Sequence, residues 1–232
     1  MKAAILEQLI ADRAAKRPVV LASDLQTGDA QLIYPLERSA QSNHAALAAA
    51  ALEALHQDKG TLFDDAGKNI FLNVFNPPLR LIIVGAVHIA QPLSRMAAIA
   101  GYQVSIIDPR QAFATEQRFP GIELIDDWPD QAIEQLKPDR RSAIVTLTHD
   151  PKLDDAALAS ALNSPCFYIG SLGSKKTHNA RLERLRRMGF TPDDFNRIHG
   201  PVGLSINASS PQEIAISILG QITQTLRNGN PS

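Results

Sequence analysis

The fold is decided by a short apolar run that turns at a glycine, Leu79-Arg80-Leu81-Ile82-Ile83-Val84-Gly85-Ala86-Val87-His88-Ile89-Ala90-Gln91-Pro92-Leu93. The apolar part predicts a buried strand, and the segment after the glycine has the period of a helix. This pattern is typical of the first unit of a dinucleotide-binding domain, in which three glycine positions serve the turn, the approach of a pyrophosphate and the packing of the helix. Gly85 and Ala90 suit the first and third positions, whereas Val87 sets a branched side chain at the second.

The rest of the chain after Asn76-Pro77-Pro78 alternates between strand and helix patterns. Strands are predicted at residues 81–84, 104–107, 122–125, 143–147 and 167–169 and near Ile198, and helices near 89–100, 112–117, 131–136, 153–162, 175–188 and 213–226. Three helix starts are marked, by Asp150-Pro151, by Thr191-Pro192 and by the capping box Ser210-Pro211-Gln212-Glu213. Near-continuous apolar strands separated by helices predict an α/β fold, a Rossmann-like parallel sheet with helices on both faces.

Two domains are expected from the double proline, which suits a linker. Residues 1–76 read as a small α+β N-terminal domain, and residues 77–232 as the Rossmann-like domain. The first domain contains no recognisable chemistry, and its His44 and His56 are expected at the surface. The tail, residues 228–232, is expected to fray.

Composition excludes several classes of protein. The net charge is −1, which provides no field for nucleic acid or an anionic membrane as main partner. The single cysteine, Cys166, excludes an internal disulfide and a cysteine-rich metal site. No apolar run approaches the ~20 residues of a membrane span, and Glu7 comes too early for a signal peptide. We expect a soluble, cytoplasmic protein.

Polar and glycine residues follow five of the predicted strands. Ligands of open α/β sheets bind beyond the carboxyl ends of the strands, so these residues are expected to share one edge. They are Gly85, Val87 and His88, then Asp108, then Thr148, His149 and Asp150, then Gly170, Ser171, Gly173, Ser174, Lys175, Lys176 and Thr177, and finally His199, Gly200, Pro201 and Gly203. Because all five groups are expected at the same edge of the sheet, together they predict a small-molecule site there.

Three of these positions have two interpretations each. Val87 favours a purely structural turn over ordinary NAD binding at Gly85. Asp108 lies where an acid often binds the ribose hydroxyls, but Asp108-Pro109 also starts turns readily. His149 either serves the site as a hydrogen-bond donor or proton carrier, or packs beside the helix cap that Asp150 provides.

The segment from Gly170 to Thr177 is the sharpest local signal. It is a glycine-containing loop that leads from a strand into a helix, without the spacing of a Walker A motif. Lys175 and Lys176 fall in the first helical turn, where the helix dipole disfavours cations. A bound anion would make this arrangement favourable, and Arg181 would add to it. The alternative is a pair of solvated lysines. Cys166, beside a buried strand, is interpreted as a core residue.

These segments together resemble the XdhC/CoxI family of accessory proteins for molybdenum hydroxylases. The resemblance covers residues 79–226 and rests on residues 84–90, 107–110, 148–150, 168–178, 181–182 and 198–204. It implies a chaperone that binds the molybdenum cofactor, molybdopterin, while a cysteine desulfurase adds a sulfido ligand. The chaperone then delivers it to an apo-molybdenum hydroxylase such as xanthine dehydrogenase or carbon monoxide dehydrogenase. It also implies a homodimer without turnover of its own.

The implied cofactor suits the residues: a phosphate for the anion loop, and a pterin for His88, Asp108 and His149. Longer family members carry an N-terminal glycine-rich segment with a cysteine, which this sequence lacks, so Cys166 is the one thiol left for sulfur chemistry. Two other hypotheses stay open. One is an NAD(P)-dependent oxidoreductase that uses the Gly85 turn, and the other is an interaction module that binds no small molecule.

Overall fold

A computed structural model describes residues 2–37, 45–65 and 67–228. The chain divides into two compact units, Met1–Pro77 and Pro78–Ser232. His44 and residues 229–232, for which the sequence predicts a surface position and fraying, lie outside the described residues. None of the helices in the described ranges combines the length and apolar character that a bilayer crossing requires.

The first unit is an antiparallel sheet with helices. Its elements are α1 (Ala3–Ala14), β1 (Val19–Asp24), β2 (Ala30–Ile33), α2 (Ala45–Gln57), β3 (Thr61–Asp65) and β4 (Lys68–Phe75), with strand order β2-β1-β4-β3. Val20 and Leu72 pack against Ala51 and other residues of α2. The predicted α+β class of this part is confirmed. His56 is half-buried, so the expectation of a surface position was wrong.

The second unit is the predicted parallel sheet with helices on both faces. Its elements are β5 (Arg80–Val84), α3 (Ala90–Ile99), β6 (Gln103–Ile107), β7 (Glu123–Ile125), α4 (Pro129–Leu136), β8 (Ser142–Thr146), α5 (Pro151–Leu162), β9 (Tyr168–Ser171), α6 (Lys175–Arg187), α7 (Pro192–Phe195), β10 (Ile198–His199) and α8 (Pro211–Asn228). The strand order is β10-β9-β8-β5-β6-β7, that of a doubly wound dinucleotide-binding sheet. Residues 112–117, predicted as a helix, form turns instead.

Alternate residues of the strands point to opposite faces of the sheet and pack into two separate hydrophobic cores. Leu81, Ile83 and Val145 pack towards α3 and α8, whereas Ile82 and Ile144 pack towards α4, α5 and α6. All five residues of β5 are buried, as expected of a central parallel strand covered on both faces.

The order of the strands reverses at β5, because the chain adds β6 and β7 on one side of it and then β8 on the other. β6 lies beside β5 on one side and β8 on the other, so the crevice that such folds use for ligands opens at the carboxyl ends of β5 and β8. Gly85 stands there with φ of +111°, and an added Cβ would lie 2.7 Å from Cγ2 of Thr148. Only glycine fits this close approach.

Candidate functional site

The segments that follow neighbouring strands are joined to one another by backbone hydrogen bonds. The N–H of Leu147 donates to the Val84 carbonyl at 2.9 Å, that of Leu172 to Thr146 at 2.9 Å, and that of Val202 to Ser171 at 3.1 Å. The predicted strand-end residues of β5, β8, β9 and β10 therefore belong to one edge of the sheet.

The glycine turn is closed by a buried carboxylate. Asp108 has no exposed surface, and its Oδ2 accepts from the N–H of Ala86 at 2.8 Å. Arg110 donates to both carboxylate oxygens from its side chain at 2.8 Å and from its backbone at 3.0 Å. Burial alone would raise the pKa of Asp108, but these hydrogen bonds hold it below its ordinary value. The bond from the Arg110 N–H is that of the predicted turn at Asp108-Pro109, and the carboxylate also fixes the glycine turn, a role that neither interpretation of the sequence included.

The side chains of Val87 and His88 lie outside the hydrogen bonds that close the glycine turn. Val87 is partly buried against the core, whereas His88 is exposed. His88 lines a groove of about 410 Å³ together with Gln91, Pro92, Arg95, Met96, Ile99, Pro211 and Gln212. The imidazole thus contributes to a groove beside α3 and the first turn of α8.

The segment after β8 presents a histidine at the edge. His149 is exposed and has φ of +63°, a left-handed backbone that costs a non-glycine residue about 1 kcal/mol. Asp150 caps α5, accepting from the N–H of Lys152 at 2.9 Å. Thr148 is buried and donates its hydroxyl to Oδ1 of Asp154 at 2.6 Å. The imidazole is exposed at this edge of the sheet, and a role for His149 in the site stays a prediction.

A buried ion pair lies behind these loops. Arg181 is 1% exposed, and its Nη2 donates to the Leu172 carbonyl at 2.9 Å and lies 3.6 Å from Oδ2 of Asp154. Nε and Nη1 of Arg181 are buried and have no hydrogen-bond partner within the described ranges. Burial raises the pKa of Asp154, against hydrogen bonds from Thr148, and lowers that of Arg181. Two donor nitrogens of this buried guanidinium are thus left unsatisfied by the described residues.

Asp154 was missed by the sequence reading. It stands on the same helix stripe as the buried residues Ala157, Leu158 and Ala161. An acid on an apolar stripe at i, i+3, i+4 and i+7 is a signal that could have identified it.

The predicted site residues of the loop between β9 and α6 fall into two groups. Some stabilise the loop itself, and the others are exposed. Ser171 is fully buried, with its Oγ 2.6 Å from Oγ1 of Thr146. Gly173 has φ of +142°, and Ser174 caps α6 by accepting from the N–H of Thr177 at 3.1 Å. Lys175 and Lys176 are exposed, and neither has an ion pair with a carboxylate of the described residues. The two lysines are thus exposed cations of this loop whose charge no described carboxylate neutralises.

The segment after β10 packs against α6 and α8. A Cβ on Gly200 would lie 2.1 Å from Nδ1 of His178, so the imidazole rests on the glycine backbone. The N–H of Gly203 donates to Gln221 at 2.8 Å, and exposed Pro201 lies between the two glycines. Nδ1 of His178 is buried without a partner in the described chain, and burial lowers the pKa of this residue. His178, absent from the predicted site, is a second free polar group of α6.

Gly170 has no side chain and so allows the segment after β10 to pack closely against β9. An added Cβ would lie 2.6 Å from Cγ2 of Val202 and 2.8 Å from Cε1 of Tyr168. The Tyr168 ring in turn stacks on His199, with centroids 4.7 Å apart. Gly170 is thus a packing residue of the site rather than an open position.

The single cysteine lies in the core. Cys166 is 5% exposed, and burial raises the pKa of its thiol. The prediction of a core residue is confirmed. Because the thiolate is the reactive form, this cysteine is poorly suited to sulfur transfer in the folded chain.

Comparison with known proteins identifies the family of this chain. The model of the XdhC Rossmann domain matches residues 81–222. A protein of Bacillus subtilis (strain 168) named as a probable xanthine dehydrogenase subunit is 34% identical over 162 residues, 69% of this chain and 47% of that protein. The molybdenum cofactor insertion chaperone PaoD of Escherichia coli (strain K12) is 30% identical over 148 residues, 64% of this chain and 40% of that protein.

A solved structure matches nearly the whole chain. This crystal structure, of a xanthine dehydrogenase from Bacillus halodurans, has a TM-score of 0.68 and 27% identity, and the match covers 97% of this chain and 64% of that one. The chain spans less than half the length of the curated relatives that it matches.

Proposed function

This chain belongs to the XdhC family, and from that premise we propose that it is a chaperone that binds the molybdenum cofactor and delivers it to an apo-molybdenum hydroxylase. The names of two relatives support this role, since one is a molybdenum cofactor insertion chaperone and the other belongs to a probable xanthine dehydrogenase. In this proposal the cofactor is cargo rather than a resident group, and the chain performs no turnover of its own.

The single observation that carries the proposal is the group of unpaired donors around the loop before α6. Lys175 and Lys176 are exposed without a counter-ion among the described residues, and the guanidinium of Arg181 keeps two free nitrogens. Molybdopterin ends in a phosphate, and Arg and Lys side chains at a helix N-terminus are favourable partners for phosphate. The residues present therefore fit this cargo.

The proposed contacts follow from exposure and, for the buried Arg181, from its unpaired donors. Gly173, Ser174, Lys175, Lys176, Thr177 and Arg181 face the phosphate, and His149, Pro201 and Gly203 face the pterin. Gly85, Asp108, Gly170 and Ser171 support these segments from buried or closed positions. Val87 and His88 lie on the α3 side, where the groove offers a second place for the pterin.

The proposed partners follow from the same chemistry. Because Cys166 is buried, we assign any sulfuration of the cargo to a separate cysteine desulfurase that acts on the bound cofactor. The apo-hydroxylase then receives the cofactor from the exposed loop edge. A homodimer and a cytoplasmic location belong to this proposal.

The geometry argues against the alternative, an NAD(P)-dependent oxidoreductase. The N–H of Gly85 donates to the Ile107 carbonyl at 2.8 Å, and that of Ala86 donates to Asp108. The amides of Gly85 and Ala86 are thus occupied, and Val87 stands at the position through which a pyrophosphate passes. Titration with NADH and NADPH is expected to give no binding at millimolar concentration.

Cofactor retention tests the proposal. The chain is produced in cells that make molybdopterin, passed through gel filtration, and assayed for pterin by fluorescence after oxidation. We expect pterin to co-elute with the protein, and its amount to fall about tenfold in Lys175→Gln, Lys176→Gln. The matched control, Arg186→Gln, Arg187→Gln, removes two charges from the last turn of the same helix and retains the pterin.

Two outcomes would contradict this proposal. A wild-type chain that elutes without pterin has no cofactor to deliver. That outcome would favour the interaction module that binds no small molecule, whereas a lysine variant that keeps both the pterin and the maturation of the hydroxylase would show that the loop before α6 does not hold the cofactor.

A further inference from the structure

We infer that the groove along α3, which His88 and Ile99 line, is a docking surface for an apolar segment of the apo-hydroxylase that carries carboxylates. The inference rests on the proposed function, since it names the surface and the chemistry through which the partner of that function is recognised. It leaves the cofactor at the loop edge and assigns the groove to the protein partner rather than to the pterin.

The helix α3 is apolar on two opposite sides. One side is buried in the core of the second unit and consists of Ala90, Leu93 and Ala97. Pro92, Met96 and Ile99 stand at i, i+4 and i+7 on the other side and line the groove. Ile99 is 87% exposed, more than any other large hydrophobic residue of the described chain. A surface helix needs only one apolar side for its own unit, so the second one indicates a partner outside it.

The charge of the groove favours an acidic partner. No acidic residue lines it, whereas Arg95 does, and Arg95 is exposed without an ion pair among the described residues. Arg118 adds a second cation, with its Nη2 3.0 Å from the carboxamide oxygen of Gln91 in the groove wall. Glu213, in the first turn of α8, is committed to the cap of that helix. Carboxylates of a partner would therefore meet cations that this chain leaves unneutralised.

The same charges argue against a second copy of this chain as the occupant. Two copies that met through α3 would bring Arg95 of each chain to one interface, and no acid of the groove would lie between the two cations. Like charges at an interface disfavour the wrong partner. A partner of different sequence meets no such penalty.

The groove begins at the edge where the cofactor is proposed to bind. His88 follows the glycine turn at the carboxyl end of β5, and Pro211 and Gln212 belong to the first turn of α8. From there the groove follows α3 to Ile99, over a helix of 10 residues that is about 15 Å long. Most of its lining residues are exposed, which suits a peptide segment better than an enclosed small molecule. A hydroxylase bound in the groove thus lies beside the edge from which it receives the cofactor.

Binding of apo-xanthine dehydrogenase tests the inference. The enzyme is produced in cells that cannot make molybdopterin, immobilised, and titrated with the full chain by surface plasmon resonance. We expect Arg95→Glu to weaken binding at least about tenfold and Ile99→Ser about fivefold, because the first opposes the carboxylates of the partner and the second removes apolar contact. The matched controls are Arg187→Glu and Ile10→Ser, exposed residues on helices outside the groove, which are expected to bind like the wild type.

Salt dependence provides a second measurement of the same contact. An increase in NaCl from about 50 to about 500 mM is expected to weaken binding of the wild-type chain, because salt screens exposed charge pairs. In Arg95→Glu the same increase is expected to leave binding unchanged or to strengthen it, since it screens a repulsion. A salt dependence equal to that of the wild type would contradict a carboxylate partner for Arg95.

Pterin retention separates this inference from the proposed function. Both groove variants are expected to retain pterin like the wild type. If the wild-type chain retains pterin but does not bind apo-xanthine dehydrogenase, or if both groove variants bind the enzyme like the wild type, the inference falls and cofactor binding stands. Loss of pterin from the groove variants would overturn the inference by showing that the groove holds the pterin. A change of oligomeric state in these variants, measured by sedimentation, would overturn it in favour of a second copy as the occupant.

Discussion

Asp108→Asn separates a structural carboxylate from a ligand-binding one. The carboxylate is fully buried and accepts from Ala86 and three times from Arg110. An amide can keep one oxygen with two of these bonds, but its NH₂ group then faces two donors. Each lost hydrogen bond to a charged group is worth about 1.5–3 kcal/mol. The Arg110 side chain is 37% exposed and recovers part of this from water, so we expect a loss of about 3 kcal/mol.

Urea unfolding measures this loss through a single reporter. Trp128 is the one tryptophan of the chain and lies in the second unit, so its fluorescence follows the unfolding of that unit. With a slope of about 2 kcal/mol/M, the midpoint is expected to fall by about 1.5 M. The control is Asp126→Asn, an exposed carboxylate that accepts from Gln111 at 2.9 Å, whose midpoint is expected to stay within about 0.3 M of the wild type.

The pH dependence of the difference provides an independent check. The pKa of Asp108 in the folded chain lies below its ordinary value of 3.8. Its contribution to the free energy of unfolding is therefore fully present above pH 3.8 and is lost as the pH falls through the lowered pKa. An unchanged midpoint in Asp108→Asn, or a difference from the wild type that grows as the pH falls, would refute this reasoning.

Three further predictions concern packing, backbone strain and thiol reactivity. Gly170→Ala places a methyl group 2.6 Å from Val202 and 2.8 Å from Tyr168, so calorimetry should show a lower Tm and a loss of about 1–3 kcal/mol, and an unchanged Tm would contradict the packing. His149→Gly removes a side chain from a backbone with φ of +63° and should raise the urea midpoint by an amount equivalent to about 1 kcal/mol, whereas a lower midpoint argues against strain there. The buried thiol of Cys166 should react with an aromatic disulfide reagent only after denaturation, and equal rates in native and denatured protein would show that it is accessible.

The sequence predicted what depends on local pattern. Strand–helix alternation identified the parallel sheet, because buried parallel strands need continuous apolar runs and their crossovers need helices. The caps followed equally directly: Asp150 accepts from Lys152, and Ser210 and Glu213 exchange the hydrogen bonds of a capping box.

The predicted helix at residues 112–117 shows where local pattern fails. The segment is bracketed by Pro109 and Pro120 and is too short to be stable without an apolar face. It forms turns that Arg118 closes by donating to the Phe113 carbonyl at 2.5 Å, while Phe119 fills the core beside it. Tertiary packing of one aromatic ring thus outweighs weak helical propensity.

The inner part of the candidate site depends on contacts between distant residues. Asp154 meets Arg181, and His178 meets Gly200, only because β8, β9 and β10 are neighbours in the sheet. No periodicity along the chain encodes such partners. Asp108 was found at the right strand end, but its role follows from the position of Arg110, which a pattern of single residues does not contain.

The closed glycine turn has a consequence for any redesign of this fold. Conversion of Val87 to glycine would complete the glycine pattern of the dinucleotide fingerprint, but the Ala86 amide would still be held by Asp108. A second change, at Asp108, would free that amide but also remove the brace of the turn. A redesign of this turn towards an anion site would therefore need changes at both Val87 and Asp108, and the change at Asp108 lowers stability.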